Sequence, residues 1–199
     1  MNFIYIILFL VPSFLFADNQ TFNSVEDRII TLLSKSTGNK DIEDFLRGNF
    51  IHVNMKFPVH HSKREWKKIL TSEQYKILRG KKTELAFSGI LLAVQEEGTY
   101  YSVASRQAIF SSHHKYDSGL GWLAFSRPID KDSLLYGMSQ DSSGVRIEVF
   151  DSQSGSYLGK LFLDGPAPTG LHYSINSQAL VFVPQGKKAS QYLQINNPQ

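Results

Sequence analysis

None of the 199 residues is cysteine. Disulfides, thiolate metal sites, cysteine nucleophiles and lipid-modified cysteines are therefore excluded. The remaining candidates act through oxygen and nitrogen. Ser174 follows His172 by two residues in Leu171-His172-Tyr173-Ser174-Ile175-Asn176-Ser177, so on an extended strand the two side chains share a face. A serine nucleophile needs such a base. However, the Gly-x-Ser-x-Gly elbow of many hydrolases is missing, and a hydroxyl that simply fills buried volume is the better reading. His60-His61 and His113-His114 are adjacent pairs. On a strand adjacent side chains point to opposite faces, so these read as exposed polar residues rather than metal ligands. Asp164, just before Gly165-Pro166, has the position of a turn-ordering carboxylate.

The elements that position these residues change character along the chain. Val25, Ile29, Ile30, Leu32 and Leu33 form an apolar stripe, which predicts an amphipathic helix over Val25–Lys35 behind a Ser24 cap. Asp41–Arg47 reads as a second short helix and Phe50–His61 as an extended connector. Trp66, Ile69 and Leu70 lie on one face of a helix over Lys63–Leu70. Thr71 and Gln74 form a capping box for a helix over Ser72–Arg79 that Gly80 closes. Beyond Lys82 the pattern becomes that of strands. Val145, Ile147 and Val149 alternate with Arg146 and Glu148 as in a half-buried strand. Ala86–Val94, Thr99–Ala104, Leu134–Met138, Tyr157–Leu163 and Ala179–Val183 also read as strands. Gly and Pro punctuate them at the spacing of antiparallel β structure. Residues 185–199 read as a polar tail.

Composition sets the outer limits. With 42% hydrophobic and 20% charged residues the chain is globular rather than disordered. A net charge of +3 without a long basic run gives no argument for nucleic-acid binding. Met1–Ala17 carries no charged side chain. Its apolar run Ile4–Val11 is too short to span a bilayer and is cut by Pro12. It reads as a secretory signal peptide cleaved after Ala17, with an uncleaved anchor as the alternative. The expected location is therefore outside the cytoplasm, periplasmic or secreted, with no stable membrane span once the signal is removed.

Several segments resemble, in order, the type B methionine sulfoxide reductases (MsrB). They are Glu65-Trp66, Leu70-Thr71-Ser72-Glu73-Gln74-Tyr75, Thr83-Glu84, Phe87-Ser88-Gly89 and Glu97-Gly98-Thr99-Tyr100. Next come Phe110-Ser111-Ser112 and Lys115-Tyr116-Asp117-Ser118-Gly119-Leu120-Gly121-Trp122. The last are Gly155-Ser156-Tyr157-Leu158-Gly159, Asp164-Gly165-Pro166-Ala167-Pro168-Thr169-Gly170-Leu171 and Tyr173-Ser174-Ile175-Asn176-Ser177. The resemblance implies a mainly β fold of two antiparallel sheets with short helices at its start. It divides the chain into a signal peptide (1–17), an N-terminal helical extension and connector (18–61), the MsrB-like domain (62–184) and the tail (185–199).

The resemblance also implies a chemistry that this chain lacks. Family members reduce the R epimer of protein-bound methionine sulfoxide with a thiolate that ends as sulfenic acid and returns through a disulfide. Ser174 stands at that cysteine's position, and Leu120 where some members carry the resolving cysteine. Tyr157 and Lys160 replace histidines, and His172 replaces an arginine. Trp122, Asp164 and Asn176 are retained. Trp122 then has two readings, as the apolar wall for the substrate methyl group or as a core aromatic. Asn176 likewise can serve a ligand or the local backbone. Two Cys-x-x-Cys zinc pairs of the family fall on Ser102 and Ser105, and on Asp151 and Ser154. Hydroxyls with one carboxylate make a poor zinc site, so no cofactor is expected. These serines are expected to bond turns and backbone instead.

The expected function is an exported, catalytically inactive MsrB-like binding or interaction module. Its expected partners are methionine-sulfoxide peptides or an envelope protein, with Ser174, Trp122, Lys160, Asp164, His172 and Asn176 as candidate site residues. The alternative is a working peptide-methionine (R)-S-oxide reductase.

Overall fold

A computed structural model describes residues 49–51, 54–141 and 144–194. The expected signal peptide and the helices expected over Val25–Lys35 and Asp41–Arg47 lie outside these residues. Among the described residues no helix is long and apolar enough to cross a membrane.

Two short helices open the domain, α1 (Lys63–Ile69) and α2 (Ser72–Leu78), each begun by a complete capping box. In the first, Ser62 and Glu65 satisfy each other's backbone N–H; in the second, Thr71 and Gln74 do so. The boxes supply partners for N–H groups that no preceding turn can reach. Gly80 and a left-handed Lys81 (φ 54°) end α2. There Lys81 N–H returns to the Ile77 carbonyl and Lys82 N–H to that of Lys76. Trp66, Leu70, Ile77 and Leu78 are the buried face of the pair.

Nine strands follow, β1 (Gly98–Ser102), β2 (Ala108–Ser111), β3 (Lys115–Tyr116), β4 (Leu123–Phe125), β5 (Leu134–Asp141), β6 (Gly144–Asp151), β7 (Tyr157–Phe162), β8 (His172–Ile175) and β9 (Leu180–Pro184). They form a three-stranded sheet β2-β1-β9 and a six-stranded sheet β3-β4-β8-β7-β6-β5, with every strand pair antiparallel. Aromatic rings join the two. Phe110 stacks on Phe125 at 4.3 Å, Tyr100 meets Phe125 edge-on at 5.1 Å, and Phe110 packs on Tyr173 at 5.6 Å. Such rings dominate core energetics by buried area.

The expected mainly β fold of two antiparallel sheets with short leading helices is the observed one. Three local expectations differ. Ala86–Val94 is a run of turns rather than a strand. Phe87 sits in the left-handed region (φ 65°), and Lys115 Nζ donates to the carbonyls of Leu91, Leu92 and Val94. Those carbonyls are thus capped by a side chain instead of a neighbouring strand. β6 is not half-buried along its length, because Ile147–Asp151 is buried on both faces. The tail contains a one-turn helix, α3 (Ala189–Tyr192).

Candidate functional site

The site is built on one row of the larger sheet. Lys160 on β7 lies opposite Ser174 on β8, and on its other side opposite Glu148 on β6. Ser174 in turn lies opposite Ala124 on β4. Directly opposed residues share a face, so Glu148, Lys160 and Ser174 form a polar row. Close packing of β7 on β8 depends on Gly159, since a Cβ there would collide with the Ser174 carbonyl oxygen.

Above this row is a cavity of about 110 Å³. Its lining combines the apolar Trp122 and Phe162 with Gly159 and the polar Thr83, Tyr157, Lys160, Ser174 and Asn176. Its size suits the tip of a side chain rather than a drug-sized molecule, whose sites occupy about 300–1,000 Å³. Trp122 is half-buried, with its indole N–H on the Glu84 carbonyl at 3.0 Å. Burial pushes the Tyr157 hydroxyl up to about 12, with the Glu148 charge adding to the rise and Thr83 opposing it. It is therefore a neutral phenol at physiological pH. Neither the Ser174 hydroxyl nor the Lys160 ammonium has a side-chain hydrogen bond or ion pair among the described residues. Glu148, the acid nearest Lys160 in register, is engaged by Lys81 at 2.7 Å.

Four of the six expected site residues meet at this cavity: Ser174, Trp122, Lys160 and Asn176. Asn176 also serves the backbone. Its Nδ2 donates to the Leu158 carbonyl at 2.9 Å, and its Oδ1 accepts from Glu84 N–H at 3.0 Å. Glu84 completes the frame by accepting from the backbone N–H groups of Ser177 and Gln178. Burial raises its pKa, and those two bonds partly oppose the rise.

Asp164 and His172 do not line the cavity. They pair with each other, Nδ1 to Oδ1, at 2.9 Å. His172 is only 2% exposed and packs between Tyr116 and Phe162. Its Nε2 has no hydrogen-bond partner, so His172 is not acting as a base on Ser174. His60 and His113 are exposed, as expected. His61 instead packs edge-on against Trp66. His114 is half-buried and accepts from Arg127 Nε at 3.0 Å. Burial first, and then the Arg127 charge, lowers its pKa. Tyr157 and Thr83 were not among the expected site residues, although the altered residue at 157 was a usable signal.

The positions that the resemblance assigns to zinc also converge. Asp151 is fully buried, and its Oδ2 accepts from Ser102 Oγ at 2.7 Å and from Ser154 Oγ at 2.6 Å. Its Oδ1 accepts from Gln153 N–H at 3.0 Å. Ser102 Oγ accepts in turn from the N–H groups of Ala104 and Ser105, Ser105 Oγ from Gln107 N–H, and Ser154 Oγ from Ser156 N–H. The donor set does not fit zinc. Its oxygens are already committed to each other and to backbone, and three of the four are neutral hydroxyls.

A family model for the SelR domain matches residues 70–184. The chain is 47% identical over 129 residues to a peptide methionine sulfoxide reductase MsrB of Leptospira interrogans, covering 64% of this chain and 98% of that protein. It is 48% identical over 126 residues to the MsrB of Methanosarcina barkeri (62% and 87%). It is 41% identical over 124 residues to that of Hahella chejuensis (62% and 89%). With this match, the shared β architecture and a cavity at the expected strands, the chain belongs to the SelR family of MsrB-like proteins.

Proposed function

We propose that this protein is an exported, catalytically silent member of the MsrB-like oxidoreductases that binds methionine-sulfoxide side chains without reducing them. The observation that carries this reading is the chain's complete lack of cysteine, with Ser174 among the residues that line the cavity. In the family reaction sulfur takes the oxygen and later yields it to another thiol. A serine oxygen that took the same oxygen would become a hydroperoxide, with no thiol route back.

Binding needs less than catalysis. Trp122 and Phe162 offer an apolar face to the methyl group, and Ser174 and Lys160 offer donors to the sulfoxide oxygen. A site this small and open binds an isolated amino-acid-sized ligand weakly, on the order of millimolar. Export is proposed from the uncharged Met1–Ala17 segment and is checked by intact-mass analysis of native protein, with Asp18 as the expected N-terminus. Activity is checked by dithiothreitol-driven reduction of an R-sulfoxide peptide. The expected result is no turnover above buffer. Sustained loss of substrate would restore the reductase reading.

A further inference from the structure

The cavity contains an uncompensated positive charge. Lys160 is half-buried in the central part of the six-stranded sheet, yet no acid among the described residues is paired with it. Glu148, opposite Lys160 in register, is engaged by Lys81 at 2.7 Å, and the Glu84 carboxylate beside the cavity accepts from the Ser177 and Gln178 N–H groups. Beside Lys160, opposite in register, is the unpartnered hydroxyl of Ser174. Both face the same space, whose sides are the Trp122 and Phe162 rings. Placing an ammonium group in partly desolvated surroundings is costly unless something pairs with it. An ammonium and a hydroxyl together hold an anion better than a neutral dipole, since charge-assisted hydrogen bonds are roughly twice as strong as neutral ones.

We propose that the cavity prefers an aliphatic oxyanion, a sulfonate or carboxylate on a short apolar stem, over a neutral sulfoxide. Lys160 and Ser174 hold the oxygens and Trp122 holds the stem. This rests on the proposed binding function and specifies its ligand. A sulfonate from an over-oxidised sulfur side chain and a carboxylate from an acidic side chain share this chemistry.

The test is an NMR titration of the intact protein with ethanesulfonate, propionate and dimethyl sulfoxide, repeated with Lys160→Met and Lys160→Arg. The expected result is that at least one of the two anions binds about tenfold or more tightly than dimethyl sulfoxide, with shifts centred on Trp122 and Ser174. That affinity should fall several-fold between about 20 and 200 mM salt, as screening requires. It should be lost in Lys160→Met and retained in Lys160→Arg, with both variants melting as the parent does. If Lys160→Met unfolds, loss of anion binding in the parent at high salt and its survival in Lys160→Arg carry the test. The stronger anion identifies the source. Dimethyl sulfoxide binding as well as or better than both anions would overturn the proposal and leave the sulfoxide-binding function standing. Undiminished anion binding by a folded Lys160→Met would also overturn it. No binding by any of the three probes would overturn both.

Discussion

Two regions of this domain stand where the family resemblance places functional cysteines, and their polar groups are satisfied in opposite ways. Around Asp151 the substituted side chains close on one another. Both carboxylate oxygens accept hydrogen bonds, and the three serine hydroxyls accept from turn N–H groups. Around Ser174 the outcome is mixed: Tyr157 bonds Thr83 and His172 pairs with Asp164, but the Lys160 ammonium and Ser174 hydroxyl, among the described residues, have no side-chain partner and line a cavity. A structural metal ties turns together, and a buried carboxylate with hydroxyl donors can do the same task by satisfying the same backbone. A redox nucleophile has no such substitute, because oxygen cannot carry the oxygen-transfer cycle.

The largest expected effect tests that contrast directly. Ser174→Cys restores one sulfur at a position whose side chain has no partner to lose. It should give a slow dithiothreitol-dependent reductase, against the proposed absence of turnover in the parent. The thiolate takes the sulfoxide oxygen, methionine leaves as thioether, and dithiothreitol returns the sulfenic acid to thiol with release of water. Chromatography of an R-sulfoxide peptide reads this, and no turnover would mean that replacing Tyr157, Lys160 and His172 has also removed what the thiol needs.

The next effect belongs to the Asp151 region. Asp151→Ala strands two buried hydroxyls and one N–H and should cost about 3 kcal/mol in urea denaturation. Asp151→Asn, which keeps an acceptor, should cost less. Chelator should leave the melting temperature of the parent unchanged, whereas cysteine placed at Ser102, Ser105, Asp151 and Ser154 together should take up one zinc and make the melt chelator-sensitive. A parent melt that drops on chelation and recovers with zinc would break the contrast.

Asn176→Ala is expected to cost about 2 kcal/mol, because it frees the Glu84 N–H from its acceptor and the Leu158 carbonyl from a donor. Ser174→Ala should stay within about 0.5 kcal/mol. A similar loss in both variants would mean that Ser174 is as structural as Asn176.

The smallest effect is a pH dependence. Burial raises the Glu84 pKa above its usual 4.5, so the fold favours the protonated form. The corresponding stability is fully present below the unfolded value and is lost as pH rises through the raised folded value. Glu84→Gln does not titrate. The stability of the parent relative to this variant should therefore increase as pH is lowered from 7 toward 4.5, and parallel curves would contradict the assignment.

The legibility of the chain follows the range of the forces involved. The Thr71–Gln74 capping box was read as such, because a cap is decided within four residues, whereas the Ser62–Glu65 box went unread although its signal is equally local. Long strands such as β5 and β7 were readable from their leucine and aromatic residues between turn signals. β2, β3, β4 and β8 were not, since two to four residues have no pattern of their own and become strands through pairing, β4 and β8 with a neighbour on each side and the edge strands β2 and β3 with one. Ala86–Val94 misled in the other direction. Its apolar residues resembled a strand, yet Leu85, Phe87 and Ile90 in and beside it are exposed, held outward by turns that Lys115 fastens from far along the chain.

The site divides in the same way. The absence of cysteine is a property of composition, and by itself it excluded cysteine thiol chemistry and thiolate ligation of a metal. The resemblance also singled out Ser102, Ser105, Asp151 and Ser154, whose side chains carry the Asp151 network. What it could not decide was which polar groups end up satisfied. His172 and Asp164 are near Ser174 in sequence but pair with each other, Asn176 is largely spent on backbone, and Glu148 is opposite Lys160 in register but bonds Lys81. Hydrogen bonds and ion pairs select partners by distance and angle across strands far apart in the chain. Only the folded structure could therefore reveal that Ser102, Ser154 and Asp151 complete one another while Lys160 and Ser174 are left open.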